Sequence, residues 1–185
     1  MNLDRKKQEL TDGKITLRPY RKEDIEATYK AIRESLAELS PWLPFAHKDY
    51  SLRETREWMK KRPGEWKKGT TYDFGIFDAK DGTLLGGCGL NQVLKLNRSA
   101  NLGYWVRTSR TGEGTAAAAA RLLAKWGFET LKLLRIEILV ATDNARSLRA
   151  AEKAGAKREG MLRNRLILHE KAHDAVMHSL IPGEV

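Results

Sequence analysis

Apolar and polar residues alternate near the start of the chain and then follow a helical period. The segment ITLRPY, which begins at Ile15 after an Asp12-Gly13 turn, alternates as a strand does. Over residues 23–39 the apolar positions recur at the spacing of a helix, namely at Ile25, Tyr29, Ile32 and Leu36. This pattern predicts a strand followed by a helix, which the Ser40-Pro41 step ends.

A second helix and three strands are predicted in the middle of the chain. The segment SLRETREWMKKR begins at Ser51, a residue suited to the N-cap, and Glu54 stands in the capping-box position. The runs TYDFGIFD, TLLGGCGLNQV and SANLGYWVR follow, separated by the short turns KDG and LKLN. Because short connections join antiparallel neighbours, these runs predict an antiparallel meander.

The last third of the chain alternates helix and strand. After Gly114, the segment TAAAAARLLAKWGFETL consists of good helix formers, and RIEILVAT then alternates as a strand. Asn144 is suited to cap a short helix through Ala154, and two more strands are predicted over residues 160–168 and 175–181. The chain is therefore predicted to be α+β, with a mixed sheet flanked by helices. One domain is expected over residues 1–185, with its core at about 15–182.

Composition narrows the class of protein. The 185 residues carry a formal charge of +10, from 34 Lys and Arg against 24 Asp and Glu, which favours polyanionic partners. The basic residues are interspersed with acids, so direct nucleic-acid binding ranks below a phosphorylated small molecule. Cys88 is the single cysteine, which excludes an intrachain disulfide, and it is interpreted as a strand hydrophobe. With no membrane-length apolar run and no leader pattern, we expect a cytoplasmic protein.

The segment GYWVRTSRTGEGTAAAAARLL carries the strongest chemical signal. A turn with two glycines and a basic residue joins an apolar strand to a helix, so backbone N–H groups near Gly112 and Gly114 can point at an anion. The turn lacks the Lys-Ser/Thr ending of a nucleotide triphosphate loop and the third glycine of a dinucleotide fingerprint. Such turns are also ordinary connectors, so the signal is not specific by itself.

Several segments in the same order resemble the GNAT acetyltransferases, specifically their RimJ/RimL-like branch. They are ITLRPYRKEDIEA, SPWLPF, ANLGYWV, SRTGEGTAAAAARLLAKWGFE, RIEILVATDNARSLRAAEKAGAKREGMLR and HDAVMHSLI. The resemblance implies a GNAT-like fold with a twisted, mixed and mostly antiparallel sheet. It also implies N-acetyl transfer from acetyl-CoA to a primary amine in a ternary complex. The amine expected is the N-terminal α-amine of a protein, such as a ribosomal protein, or that of a small molecule.

The resemblance places the cofactor on the turn and its flanks. The strand end is expected to pair with the pantetheine arm, the turn to bind the diphosphate, and Asn144 to touch the arm. The residues implied are Val106, Arg107, Arg110, Thr111, Gly112, Glu113, Gly114, Thr115 and Asn144. The family often has Gln or Arg three residues before the first glycine, where this chain has Ser109.

The resemblance also suggests catalytic residues. Ser147 matches a serine proposed to protonate the leaving thiolate, although a first-turn hydroxyl bonding backward is an equal alternative. Many relatives place Tyr where this chain has Ala151, and Glu where it has Asn101. Asn cannot take a proton, so Asn101 is expected at most to hold a relaying water. Glu159 and His169 are alternatives, and the general base stays unassigned.

The remaining candidates concern the acceptor, a metal and other functions. Trp42 and Phe45 are expected in the acceptor pocket, with core packing equally open for Phe45. Residues 169–173 spell HEKAH, a formal zinc motif, but the strand pattern on both sides favours a turn, so no metal is expected. A helix over residues 168–180 is the alternative, because apolar residues there also recur every four positions. A non-catalytic CoA-binding protein and a basic RNA- or ribosome-binding module are the alternative functions. A homodimer is left open.

Overall fold

The computed structural model describes residues 4–185 as a single eight-stranded open sheet with helices on its faces. The sheet order is β1-β2-β3-β4-β5-β6-β8-β7. The strands are β1 (Leu10–Thr11), β2 (Ile15–Arg18), β3 (Tyr72–Asp78), β4 (Leu84–Leu94), β5 (Ser99–Val106), β6 (Arg135–Ala141), β7 (Lys157–Leu168) and β8 (Lys171–Leu180).

Strands β3 to β5 form the predicted antiparallel meander, and β1 and β2 extend it by antiparallel pairing. The pairing of β5 with β6 is the one parallel pairing in the sheet described. Beyond it, β8 pairs antiparallel with both β6 and β7. The predicted α+β class and the mixed, mostly antiparallel sheet are thus confirmed.

Within residues 4–185, five α-helices cover the sheet. They are α1 (Ile25–Glu34), α2 (Leu36–Leu39), α3 (Leu52–Lys68), α4 (Thr115–Thr130) and α5 (Ala145–Lys153). The small residues of α4, among them Ala117, Ala120 and Ala124, belong to the main core together with Phe74, Leu90 and Leu102 of the sheet. Because successive strand residues point to opposite faces, the Gly75 and Gly87 row faces the other way, where α1 and α3 pack. Of the helices in residues 4–185, none combines the length and apolarity needed to cross a membrane.

The predicted helix over residues 23–39 is broken at Ser35, which corrects the sequence interpretation. A 3-10 turn covers Lys22–Asp24, and α1 and α2 then meet at Ser35, whose φ of -104° and ψ of 10° are not helical. The buried Ser35 hydroxyl donates to the Ala31 carbonyl at 2.7 Å and accepts from the Thr108 backbone N–H at 2.9 Å. The break therefore connects this helical segment to the residues that follow β5.

Other element bounds also differ from those predicted. Helix α3 continues past Pro63 to Lys68, where Trp66 packs against Tyr72 and Trp126 and Gly69 ends it with a φ of 69°. Strands β7 and β8 begin before residues 160 and 175, where they were predicted to start. Strand β1 lies before residue 15, outside the predicted core. Gln8, just before β1, accepts a hydrogen bond from the Trp126 indole at 2.9 Å, so this segment packs on the core.

Only the first two residues of the HEKAH segment form the predicted turn, because strand β8 already begins at Lys171. His169 and Glu170 have φ values of 50° and 63° and connect β7 to β8 in a two-residue hairpin, with Leu168 paired to Lys171. His169 lies in the turn and His173 within β8, so the two rings do not share a helix face. Among residues 4–185, no group of three His, Cys, Asp or Glu side chains could hold a metal ion.

The burial of His178 predicts that the stability of the fold depends on pH. Its ring on β8 is fully buried, and neither nitrogen finds a hydrogen-bond partner within residues 4–185. Burial lowers the pKa of His178 below its ordinary value of 6.5, so the unfolded chain binds a proton that the folded chain does not. We expect the free energy of unfolding to fall by up to about 1.4 kcal/mol per pH unit below 6.5.

Urea unfolding of the wild type and His178→Phe at pH 7.5 and 5.5 measures this effect. We expect the phenylalanine variant to lose less stability between the two pH values than the wild type loses. Equal losses would mean that other groups carry the pH dependence.

Candidate active site

Strands β5 and β6 separate after three paired residues and leave a cleft between them. Pairing joins residues 99–101 to 135–137, and within the described chain residues 102–106 have strand partners only on the β4 side. The cleft has a volume of about 780 Å³ and is lined by both diverging strands, the glycine turn and α5. Unpaired backbone groups along a strand can bind an extended amide-containing ligand as an added strand would.

The N-terminus of α4 faces the same cleft. Gly112 and Gly114 have φ values of 88° and 81°, and a side chain at either position would meet nothing within 4 Å. Gly114 is the N-cap and offers no side-chain cap, and the first turn of α4 contains no acidic residue. The free N–H groups and the positive end of the helix dipole therefore face open space, which suits a diphosphate.

The turn before α4 is fixed by α1 and α2. Glu34 accepts hydrogen bonds from the Arg107 guanidinium and from the Ser109 backbone N–H, the latter at 3.1 Å. The Arg107 hydrogen bonds hold the pKa of Glu34 at about 2. The Thr108 hydroxyl donates to Glu38 at 2.8 Å. The turn is thus held in one conformation before any ligand arrives, which lowers the entropic cost of binding.

Seven of the nine predicted cofactor residues line the cleft, namely Val106, Arg110, Thr111, Gly112, Gly114, Thr115 and Asn144. Arg107 and Glu113 do not. Arg107 binds Glu34 as described above, and Glu113 accepts from Arg110 at 3.1 Å. Arg110 also pairs with Asp78 at 3.0 Å, a contact that the sequence did not indicate.

Ser147 lies in the cleft at the first turn of α5. Asn144 caps this helix, because its side-chain oxygen accepts from the Ser147 backbone N–H at 3.1 Å. The Ser147 hydroxyl donates to the Tyr104 hydroxyl at 3.3 Å, and Tyr104 donates to the Ser147 carbonyl at 2.9 Å. Burial raises the pKa of Tyr104, so its hydroxyl stays protonated at neutral pH. Sequence reasoning missed Tyr104, although it is the second residue of the quoted GYWV segment.

A second cavity of about 340 Å³ meets the cleft at residues 103–105 of β5. Six of the residues that line it are aromatic, namely Tyr20, Phe45, Tyr50, Trp58, Tyr104 and Trp105. Phe45 lines this cavity and is half exposed. Trp42 was predicted beside it but lines the cleft instead, since it lies before the loop turns toward the second cavity.

Two carboxylates that sequence reasoning did not select line the second cavity, Asp73 and Glu54. Asp73 accepts from Arg62 at 2.5 Å, and burial raises the pKa of this carboxyl against the opposing effect of Arg62. Hydrogen bonds lower the pKa of Glu54, the larger effect coming from Ser51 and the smaller from His47. The signal for Asp73 was a charged residue within an otherwise apolar strand, TYDFGIFD.

The candidate bases from the sequence lie elsewhere. Asn101 is outside both linings given for the described chain and donates its amide to Asn91 at 3.0 Å. Glu159 pairs with Arg135, which holds the pKa of Glu159 at about 2. The His169 ring hydrogen-bonds the Ser40 carbonyl at 2.7 Å. The structure does not bring these three groups together.

Cys88 is buried in β4, and burial raises the pKa of its thiol well above the ordinary value. Because the thiolate is the reactive form, we expect no covalent acetyl-cysteine intermediate. A chromogenic disulfide reagent should label one thiol per chain in denaturant and none in the native protein. Rapid native labelling would show that Cys88 is reactive and would reopen a covalent route.

Comparisons with known proteins agree with this geometry. A family model described as an acetyltransferase (GNAT) domain matches residues 14–157. The Bacillus subtilis (strain 168) protein named "Putative ribosomal N-acetyltransferase YdaF" is 32% identical over 172 residues, which cover 92% of this chain and 92% of that protein. The ribosomal-protein-serine acetyltransferase of Escherichia coli (strain K12) is 26% identical over 157 residues, covering 85% and 87%.

The fold also superimposes on solved acetyltransferases. RimJ of Mycobacterium smegmatis, solved in complex with CoA-disulfide, is 27% identical with a TM-score of 0.86, over 96% of this chain and 88% of that chain. The family match covers most of this chain, and the structural match extends over nearly all of it. The chain therefore belongs to the GNAT acetyltransferases and is an N-acetyltransferase of their RimJ/RimL-like group.

Proposed function

We propose that this protein transfers the acetyl group of acetyl-CoA to the N-terminal α-amine of a protein, in a ternary complex. The observation that carries the proposal is the meeting of two cavities at residues 103–105. The larger one combines a free strand edge with an uncapped helix N-terminus, as pantetheine and diphosphate require. The smaller one opens on the same strand, where the acetyl group would end.

The residues present fit acetyl-CoA, which supplies the thioester. The free edge of β5 would hold the pantetheine amides, and the N–H groups around Gly112 and Gly114 would hold the diphosphate. Ser147, at the first turn of α5, would donate its proton to the sulfur as the C–S bond breaks. The buried Tyr104 hydroxyl would orient the Ser147 hydroxyl until then.

The size of the second cavity supports a chain end as the acceptor. At about 340 Å³ it stands at the small end of ligand pockets, so it suits one terminal residue or a small amine. A ribosomal protein is the acceptor that we infer from the names of two relatives, YdaF and the Escherichia coli enzyme. The net charge of +10 suits work near an anionic ribosome.

Mass spectrometry of products tests the acceptor class. The panel pairs each ribosomal-protein N-terminal peptide with its N-terminally blocked form, in which an internal lysine is the one free amine, and adds small amines. We expect one added acetyl group on the free peptides and none on the blocked ones. Acetylation of small amines alone would move the acceptor class to small molecules, and binding of acetyl-CoA without any product would favour a non-catalytic module.

A further inference from the structure

On one face of the sheet, no side chain lies between Asp73 on β3 and strand β5, because the residues in register with Asp73 are glycines. Asp73, Gly89 and Gly103 stand in register on β3, β4 and β5. Because neighbouring strands lie about 4.8 Å apart, the Asp73 and Gly103 backbones are separated by about 10 Å. All three residues line the second cavity, so an amine bound in it beside β5 shares that cavity with the Asp73 carboxylate.

The two oxygens of Asp73 have different surroundings. Arg62 donates to Oδ2 at 2.5 Å and fixes the carboxylate against α3. Oδ1 lies over Gly89, so close that a Cβ at residue 89 would overlap it. One oxygen is therefore held by the protein, and the other extends across β4 in the direction of β5.

The charge on Asp73 is balanced within a cluster of four side chains. Arg62 is shared, because it also pairs with Glu65 at 2.8 Å. Its guanidinium is held further by the Trp58 ring, 4.6 Å away, and by the Trp58 carbonyl at 3.2 Å. The positive charge of Arg5 also acts on Asp73 and lowers the pKa of its carboxyl, so the four side chains carry no net charge.

We propose that Asp73 is the general base that removes a proton from the acceptor ammonium group. This inference rests on the proposed N-acetyl transfer. The ammonium N–H bond breaks and its proton passes to Asp73, and the freed lone pair forms the N–C bond to the thioester carbonyl. The C–S bond then breaks with its electrons on sulfur, which takes a proton from the Ser147 hydroxyl, and the proton that the new amide nitrogen loses restores that hydroxyl. Asp73 returns its proton to water.

Glu54, the other carboxylate of the pocket, is less suited to this role. Its Oε2 accepts from the Ser51 N–H at 2.8 Å and from the Ser51 hydroxyl at 2.7 Å, and its Oε1 contacts His47 at 2.7 Å. Both of its oxygens are engaged, and these bonds lower the pKa of Glu54. Burial raises the pKa of Asp73 and so brings its proton affinity closer to that of an amine.

The test compares the pH dependence of kcat/KM for the acceptor in the wild type and in Asp73→Asn. We expect kcat/KM to fall about 100-fold in the variant, and the decline of wild-type activity at the acid pH where Asp73 is protonated to be replaced by a decline set by the ionisation of the acceptor amine alone. Acetyl-CoA affinity, measured by calorimetry, should stay unchanged, because Asp73 lies outside the cleft. An unchanged kcat/KM and pH profile in Asp73→Asn would overturn the proposal.

A second variant separates position from charge. Gly89→Ala keeps the Asp73 carboxylate but pushes Oδ1 off the row, so we expect a loss of kcat/KM similar to that of Asp73→Asn. Glu54→Gln is the matched control, because glutamine retains the capping-box geometry. If the pH dependence at acid pH changed in Glu54→Gln and not in Asp73→Asn, Glu54 would be the general base. If the wild type acetylated no amine, the proposed function would be contradicted. If the wild type were active and Asp73→Asn had nearly the same kcat/KM, only the role of Asp73 would be contradicted.

Discussion

Replacing Gly112 with Asp is expected to weaken acetyl-CoA binding about 1000-fold. The new side chain meets nothing within 4 Å, so the effect comes from its charge and from obstruction of the turn rather than from a clash. A negative charge there repels the diphosphate and blocks approach to N–H groups, each worth about 1.5–3 kcal/mol when bonded to an anion. Loss of about 4 kcal/mol corresponds to the stated factor and is measured by calorimetric titration.

Gly13→Asp is the matched control for backbone strain. Gly13 has a φ of 86°, close to the 88° of Gly112, and a side chain there also meets open space. It lies in the turn between β1 and β2, four strands away from β5 in the sheet. We expect both variants to lose about 1–2 kcal/mol of stability and Gly112→Asp alone to lose affinity. Equal acetyl-CoA affinities in the two variants would contradict the proposal that this turn binds the diphosphate.

Removal of the Ser147 hydroxyl is expected to lower kcat by about 10²- to 10³-fold, with little change in KM for acetyl-CoA. A group that donates its proton only as sulfur leaves stabilises the transition state and not the bound cofactor. Ser147→Ala is a clean change, because Asn144 caps α5 through the Ser147 backbone N–H, which alanine retains. Steady-state kinetics with a saturating acceptor measures the effect.

Tyr104→Phe is the companion variant. It keeps the ring in β5 but removes the hydroxyl that receives the Ser147 hydrogen bond at 3.3 Å. We expect a smaller loss of kcat, about tenfold, and no further loss when it is combined with Ser147→Ala, because the two hydroxyls act as one unit. If Ser147→Ala had the same kcat as the wild type, the Ser147 hydroxyl would have only a structural role. The leaving thiolate would then have no proton donor from the protein.

The fold was largely predictable because most of its elements follow simple periods. The meander of β3 to β5 and the helix α4 were visible from alternation and from a run of good helix formers. The break at Ser35 was not visible, since its cause is a hydrogen bond from Thr108, a residue 73 positions away in the chain. Likewise, the continuation of α3 past Pro63 depends on Trp66 packing against Trp126 of α4.

The glycine turn could be predicted from the sequence because its residues are contiguous, with two glycines directly before the start of α4. The second cavity is assembled from residues of α1, α3, β3, β4, β5 and the loop before α3. Apart from Phe45, its lining was not predicted, because a single polar residue in each of several distant segments carries no signal by itself. Asp73 becomes informative only when the sheet register places Gly89 and Gly103 beside it.

The most direct test of acetyl transfer is amine-dependent release of the CoA thiol from acetyl-CoA by the wild-type protein. The single protein thiol, Cys88, is buried, so the native enzyme should add no background to a thiol reagent. We predict thiol release that requires a peptide with a free N-terminal amine and that equals the acetylated peptide formed. Tight binding of acetyl-CoA with no amine-dependent release for any peptide or small amine would contradict catalysis.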